Sequence, residues 1–291
     1  MNDCSGSPLP AACPRWPVSR SCVTTSKRRW TKASPHGGLK VAYFVDHYAN
    51  YHDPDIGRGL AEILQPNRIG IYVPGGQVSS GMPRISAGDL KGARKIARRN
   101  VRLLADVVRQ GYTVIASEPS AALCLKYEYP NLLDDEDALL VAEHSHEACA
   151  YLWQLHQGGR LARDFRPIAN EFAYHQPCHL RVLDDSRRAA TQLMGLIPQL
   201  RVGSLEAGCT GMAGTWGLQK KNYRNSLRIG WPLISAMRSA GRATAVTECS
   251  ACKLQIEHGS GRATIHPLKL FAHAYGRLPK VESELASGPA V

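Results

Sequence analysis

Four cysteines in the second half of the chain, Cys178, Cys209, Cys249 and Cys252, are the side chains best placed to do chemistry. Cys249 and Cys252 form the only C-x-x-C pair in the sequence. That spacing lets two thiolates reach one metal ion or one cluster face without straining the backbone. Gly208 and Gly211 bracket Cys209, which allows a tight turn and leaves backbone N–H groups free to point at a sulfur-rich anion. Four convergent thiols suit a tetrahedral zinc ion or an iron–sulfur cluster. A lone C-x-x-C could equally be a redox dithiol, and buried inert cysteines are the plainest alternative. His175 and His179 flank Cys178, and His266 precedes Pro267. They could ligate a metal, hydrogen-bond to cluster sulfurs or relay protons. Packed, hydrogen-bonded structural histidines are the plainer reading. Thr210, next to Cys209, could also hydrogen-bond to a sulfur.

Each of these cysteines follows an expected strand directly or after a short loop. Strands are expected at 39–45, 69–73, 112–116, 171–174, 199–205 and 244–247. Helices are expected at 56–64, 89–109, 132–157, 186–196 and 223–240. Alternation of this kind predicts an α/β fold with small, mostly parallel sheets. In such sheets ligands bind at the carboxyl ends of the strands, so thiols from three loops would converge there. Ser79-Ser-Gly-Met82 matches Cys209-Thr-Gly-Met212, and Ser117-Glu-Pro-Ser-Ala121 matches Thr247-Glu-Cys-Ser-Ala251, both at an offset of 130. Two matches at one offset predict a duplication, giving two Rossmann-like α/β repeats at 39–165 and 166–291.

Residues 1–38 carry five prolines, many serines and the cluster Lys27-Arg-Arg29, without helical or strand period. They are expected to be a disordered basic tail, with Cys4, Cys13 and Cys22 as incidental thiols. The whole chain has 291 residues, 44% of them hydrophobic, and a net charge of +12. This excludes a largely disordered chain. It encodes no run of 18 apolar residues. Nine unevenly spread cysteines argue against a small disulfide-stapled fold. The expected helix at 89–109 has an apolar stripe of Ala93, Ile96, Ala97, Val101, Leu104 and Val108. Its outer face is basic, with Arg94, Lys95, Arg98, Arg99, Arg102 and Arg109. A solvated surface is the default there, and docking on an acidic partner protein or a membrane is next. Nucleic acid comes last, because no DNA- or RNA-binding motif accompanies the charge.

Several segments together resemble the cysteine-rich, CCG-domain family. They are Val41–Asp46 with Asn50–Gly57, Gly81-Met-Pro83 with Gly88-Asp-Leu90, and Tyr174-His-Gln-Pro-Cys-His179. Cys209-Thr-Gly-Met-Ala-Gly214, Cys249-Ser-Ala-Cys252, Gln255-Ile-Glu257 and His266-Pro267 complete the set. That family includes iron–sulfur subunits of anaerobic glycerol-3-phosphate dehydrogenase, of glycolate and lactate oxidases, and of heterodisulfide reductase. The resemblance implies that Cys178, Cys209, Cys249 and Cys252 hold one [4Fe-4S] cluster, with zinc as the alternative. It implies an electron-transfer subunit working between a flavoprotein dehydrogenase and a quinone or other acceptor, without a catalytic residue of its own. A separate ferredoxin-type subunit and a peripheral contact with the inner face of the membrane are further implied partners, in a cytoplasmic setting.

The chain departs from the family pattern in three places. The first-repeat Cys-Cys-Gly is Ser79-Ser80-Gly81, and Ala121 replaces the cysteine usually found in the following turn. Serine is a poor ligand for soft iron–sulfur chemistry, and Cys124 lies a helical turn too far on, so the first repeat is expected to hold no cluster. In the second repeat the motif reads Cys209-Thr210-Gly211, leaving four thiols. No ferredoxin module is expected in the sequence. These departures support a second reading, a non-redox or zinc-bound docking subunit of the same kind of complex.

Overall fold

The computed structural model describes residues 38–183, 188–205, 207–241 and 243–286. The tail expected at 1–38 falls outside them, apart from Gly38. Two four-stranded sheets, each wholly parallel, form the frame. The first contains β1 (Lys40–Phe44), β2 (Gly70–Tyr72), β3 (Thr113–Ala116) and β4 (Ser145–Glu147), in the order β2-β1-β3-β4. The second contains β5 (Glu171–Tyr174), β6 (Arg201–Ser204), β7 (Thr244–Val246) and β8 (Thr264–Ile265), in the order β6-β5-β7-β8.

The duplication extends to the strand register. Ala42 pairs with Tyr72 and with Val114; 130 residues later, Phe172 pairs with Val202 and with Thr244. Gly81 and Gly211, also 130 apart, have nearly the same left-handed φ, 83° and 82°. Two matching helices follow these turns: α4 (Leu90–Arg109) in the first repeat and α11 (Tyr223–Ser239) in the second. On α4 the apolar stripe expected from the sequence faces the core, and Asp89 caps the first turn by accepting from the Gly92 N–H at 2.9 Å.

Two strands escaped the sequence reading. The stretch expected to be one helix at 132–157 is interrupted. It holds α6 (Tyr129–Leu132), α7 (Glu136–Glu143), then β4, then α8 (Ala148–Gln157). Ser145-His-Glu147 has little intrinsic strand preference. It becomes a strand because β3 offers an open parallel edge and the backbone there is buried. β8 is only two residues long, too short to carry a period.

A hydrophobic core runs across both halves. Tyr43, Leu60 and Leu64 of the first belong to one buried cluster with Phe172, Leu268 and Phe271 of the second. Helices cross over to make it: α13 (Pro267–Ala274) packs on α2 (Asp55–Leu64), and α8 packs on α10 (Ala189–Met194). Gly59 permits the first crossing, because a Cβ there would lie 3.0 Å from the Leu268 carbonyl oxygen. Lys269 on α13 is buried, and its ammonium bonds Asp53 at 3.1 Å and Glu284 at 2.7 Å. Burial alone would lower its pKa, but the two carboxylates outweigh that and raise it. Lys269→Ala is therefore expected to cost about 3–5 kcal/mol in urea unfolding, because it strands the Asp53 charge. Since the folded pKa lies above the ordinary lysine range, the ion pair's stabilisation is complete below about pH 10 and fades at more alkaline pH.

Among the described residues no helix is long and apolar enough to cross a membrane.

Candidate iron–sulfur site

The carboxyl edge of the second sheet gathers the four thiols. β5 ends at Tyr174, and Cys178 begins the one-turn helix α9 (Cys178–Arg181) behind Pro177. Cys209 lies in the loop after β6, between the left-handed Gly208 and Gly211. Beyond β7, Cys249 caps α12 (Ser250–Ser260), and Cys252 sits in its first turn. The Cys252 N–H donates back to the Cys249 thiol, and the positive dipole end of the helix lies at these two residues.

Cys252 is the centre of the group. The Cys249 thiol hydrogen-bonds to it, and this first, then His175 and Thr210, holds Cys252 well below the ordinary thiol range despite its burial. Cys249 shifts the opposite way, held protonated by that same hydrogen bond and by burial. Thr210 Oγ1 donates to Cys252 Sγ at 3.6 Å, and the Gly211 N–H donates to Cys209 Sγ at 3.3 Å. Burial raises the Cys178 thiol, as do Cys252 and Cys209, which therefore lie within electrostatic reach of it. Cys249 and Cys252 are buried, while Cys178 and Cys209 are exposed.

The histidines divide. His175 is buried against Cys252, and its Nδ1 has no hydrogen-bond partner among the described residues. His179 is half-buried and lies within electrostatic reach of Cys252. His266 has a structural job. Its Nδ1 accepts from the Leu268 N–H at 3.1 Å to cap α13, leaving Nε2 to donate to the Ser117 carbonyl at 3.2 Å. Burial lowers its pKa to about 4, so the ring is neutral.

The first repeat contributes a residue that sequence reading overlooked. Glu118 Oε2 accepts from the Ser250 N–H at 3.0 Å, capping the thiol-bearing helix from the other half of the molecule. Burial and the nearby Asp46 raise its pKa to about 8. Its identity as the counterpart of Glu248 at the 130 offset was the available signal. Glu248 is also buried, and its two carboxylate oxygens share the Tyr174 hydroxyl proton, at 3.0 and 3.2 Å from Oη.

At the same offset, Tyr48, Ser79, Pro119 and Ala122 stand where the second repeat has Cys178, Cys209, Cys249 and Cys252. The matching turn is filled with a hydrogen-bonded plug. Asn100, fully buried, donates to the Ser79 carbonyl at 3.1 Å and to Tyr129 Oη at 2.8 Å; Tyr129 Oη donates to the Ser80 carbonyl at 2.9 Å. Cys124 is a core thiol whose pKa burial raises to about 12, and Cys149 is likewise buried.

Soft thiol donors from three loops fit an iron–sulfur cluster. Among the described residues, no three Cys, His, Asp or Glu side chains stand together as ligands of a single ion. A cluster is itself several ångströms across and needs its thiolates further apart than one ion does.

Residues 172–257 match the model of the CCG cysteine-rich domain family. The chain is 32% identical to the C-subunit of anaerobic glycerol-3-phosphate dehydrogenase of Escherichia coli K12, over 85% of this chain and 63% of that protein. It is 25% identical to the B-subunit of the fumarate reductase (CoM/CoB) of Methanothermobacter marburgensis, over 76% of this chain and 42% of the relative. An uncharacterized iron–sulfur protein of Methanocaldococcus jannaschii is 22% identical over 75% of this chain and 41% of its own length. The chain thus spans less than two thirds of each of these relatives.

Proposed function

We propose, from the match of residues 172–257 to the CCG cysteine-rich domain family, that this chain is an iron–sulfur electron-transfer subunit. Cys178, Cys209, Cys249 and Cys252 hold one [4Fe-4S] cluster in the second repeat. The observation that carries the reading is the placement of these thiols after three strands at one sheet edge, where the Thr210 hydroxyl donates to Cys252 Sγ at 3.6 Å and the Gly211 N–H to Cys209 Sγ at 3.3 Å. When bound, the cluster supplies a centre that takes up and releases one electron at a time.

The chain's own residues prepare that centre. The α12 N-terminus and the Cys249 hydrogen bond favour the thiolate at Cys252, the form that ligates metal. The Thr210 hydroxyl and Gly211 N–H direct hydrogen bonds at sulfur, which favours the reduced, more negative state. Burial of Cys249 and Cys252 keeps water from that side, while exposed Cys178 and Cys209 mark the side open to a redox partner. The electron source is a flavoprotein dehydrogenase acting on glycerol 3-phosphate or a 2-hydroxy acid, and the acceptor is a quinone or another carrier.

Anaerobic reconstitution with iron and sulfide tests the reading. About four irons per chain and a broad visible band that bleaches on reduction are expected. A colourless, iron-free protein under those conditions refutes it and leaves the docking-subunit reading, which the plugged first-repeat turn supports.

A further inference from the structure

The outer face of α11 is unusual in charge and in apolar exposure. Between Glu206 and Glu248 the sequence has six basic residues and no acidic one. Lys221, Arg224 and Arg228 are exposed, and among the described residues none has an ion-pair partner. The same helix and the turn before it also leave large apolar side chains open to solvent: Trp231 at 54% exposure, Ile229 at 49% and Trp216 at 37%. Trp231 is held in place. Arg238 stacks over its ring at 5.3 Å, and Arg238 Nε is anchored by donating to the Gly259 carbonyl at 3.0 Å. A rigid tryptophan among arginines is the composition of a binding hot spot.

The inner side of the same helix supports the Cys209 turn. Ser226 Oγ donates to the Gly211 carbonyl at 2.9 Å, and Gly230 lies against the Thr210 backbone. The exposed patch is therefore separated from an exposed thiol of the candidate site by one helix and one turn.

We propose that this face of α11, with the Trp216 turn, is the docking surface for an acidic electron-transfer protein. The proposal rests on the reading of the Cys209 edge as an electron-transfer centre, since a redox partner must seat close to it. Charge selects the occupant. A second copy would bring another +12 chain, and residues 1–37, carrying six basic residues and one acidic residue, would be repelled. Helix α4 has more basic residues, seven against three in α11, but three of its arginines are engaged: Arg94 donates to the Leu132 carbonyl, Arg99 to the Gly76 carbonyl, and Arg109 pairs with Asp137. It carries no exposed aromatic residue.

Flavodoxin, an acidic flavin protein, serves as the probe, with affinity measured by fluorescence anisotropy on the full chain. Binding should weaken about tenfold or more between about 50 and 500 mM salt. The R224E/R228E double variant should lose about tenfold or more, and W231A several-fold, at unchanged melting temperature. K95E/R98E on α4, with the same change in charge, should stay within about twofold. The proposal is overturned if R224E/R228E binds like wild type or if K95E/R98E loses as much. It is also overturned if the α11 variants lose only binding to phosphatidylglycerol vesicles, which would make a membrane the occupant. A wild-type chain that stays iron-free after anaerobic reconstitution yet binds flavodoxin through α11 refutes the cluster reading alone. An iron-loaded chain whose binding ignores the α11 changes refutes the docking surface alone.

Discussion

Cys252→Ser is expected to abolish iron binding, taking the reconstituted protein from about four irons per chain to a background level with no visible band. Two features make this the most sensitive of the four positions. Cys252 is where the other groups meet: Cys249, His175 and Thr210 all direct hydrogen bonds at its sulfur. It is also buried, so a water molecule cannot enter to replace a lost ligand. A serine there offers a hard hydroxyl whose proton is far more tightly held than the thiol's. The exposed Cys178 and Cys209 differ, because solvent or an added thiol can reach their positions. Serine variants there should retain a measurable part of the iron. A Cys252→Ser protein that melts like the wild type and still takes up a full complement of iron would rule out the four-thiol assignment. Ser79→Cys offers the converse test. It should create no second iron site, because Tyr48, Pro119 and Ala122 still occupy the other counterpart positions and the Asn100–Tyr129 plug remains.

The parts of this arrangement that were legible in the sequence are those with a local signature. β1, β3, β5 and β7 are apolar runs, buried on both faces as parallel strands are, and such runs stand out from their surroundings. The C-x-x-C pair and the 130-residue repeat could likewise be read directly. What could not be read depends on contacts between distant segments. β4 is a strand only because β3 is beside it. The Glu118 cap on α12 spans 132 residues and joins the two repeats. For His266 the sequence left open a role beside the thiols, and the plainer structural reading is the one found, but its partner Ser117 lies 149 residues away and could not be read. Position along the chain says which sheet edge a residue reaches. It does not say which neighbour that residue will find there.

Gly230→Ala is expected to loosen the site from a residue that touches no ligand thiol. A Cβ at position 230 would lie 2.1 Å from the Thr210 carbonyl oxygen and 2.9 Å from its carbonyl carbon. Both are backbone atoms, so no side chain can rotate away. Either α11 or the Cys209-Thr210-Gly211 turn must move by about 1 Å to reach an ordinary contact, and such overpacking costs about 1–3 kcal/mol. The turn is the softer of the two, because α11 is fixed by buried Leu233, Ile234 and Met237. Its movement would pull Thr210 Oγ1 from Cys252 and carry Cys209 away from the other thiols. The first repeat shows the alternative solution. At the counterpart position it has Asn100, whose side chain fills the space and hydrogen-bonds to a turn that has no thiol to present. The glycine in the second repeat therefore belongs with the cysteines: the turn approaches the helix closely only where a sulfur must be held. The expected outcome is a melting temperature lowered by several degrees and a several-fold faster loss of iron to a chelator, with circular dichroism otherwise native. Gly241→Ala, on a left-handed residue just beyond α11 with no atom within 4 Å of the added carbon, should cost stability without speeding iron loss. If the two variants release iron at the same rate, the close approach of α11 to the turn has no part in holding the cluster.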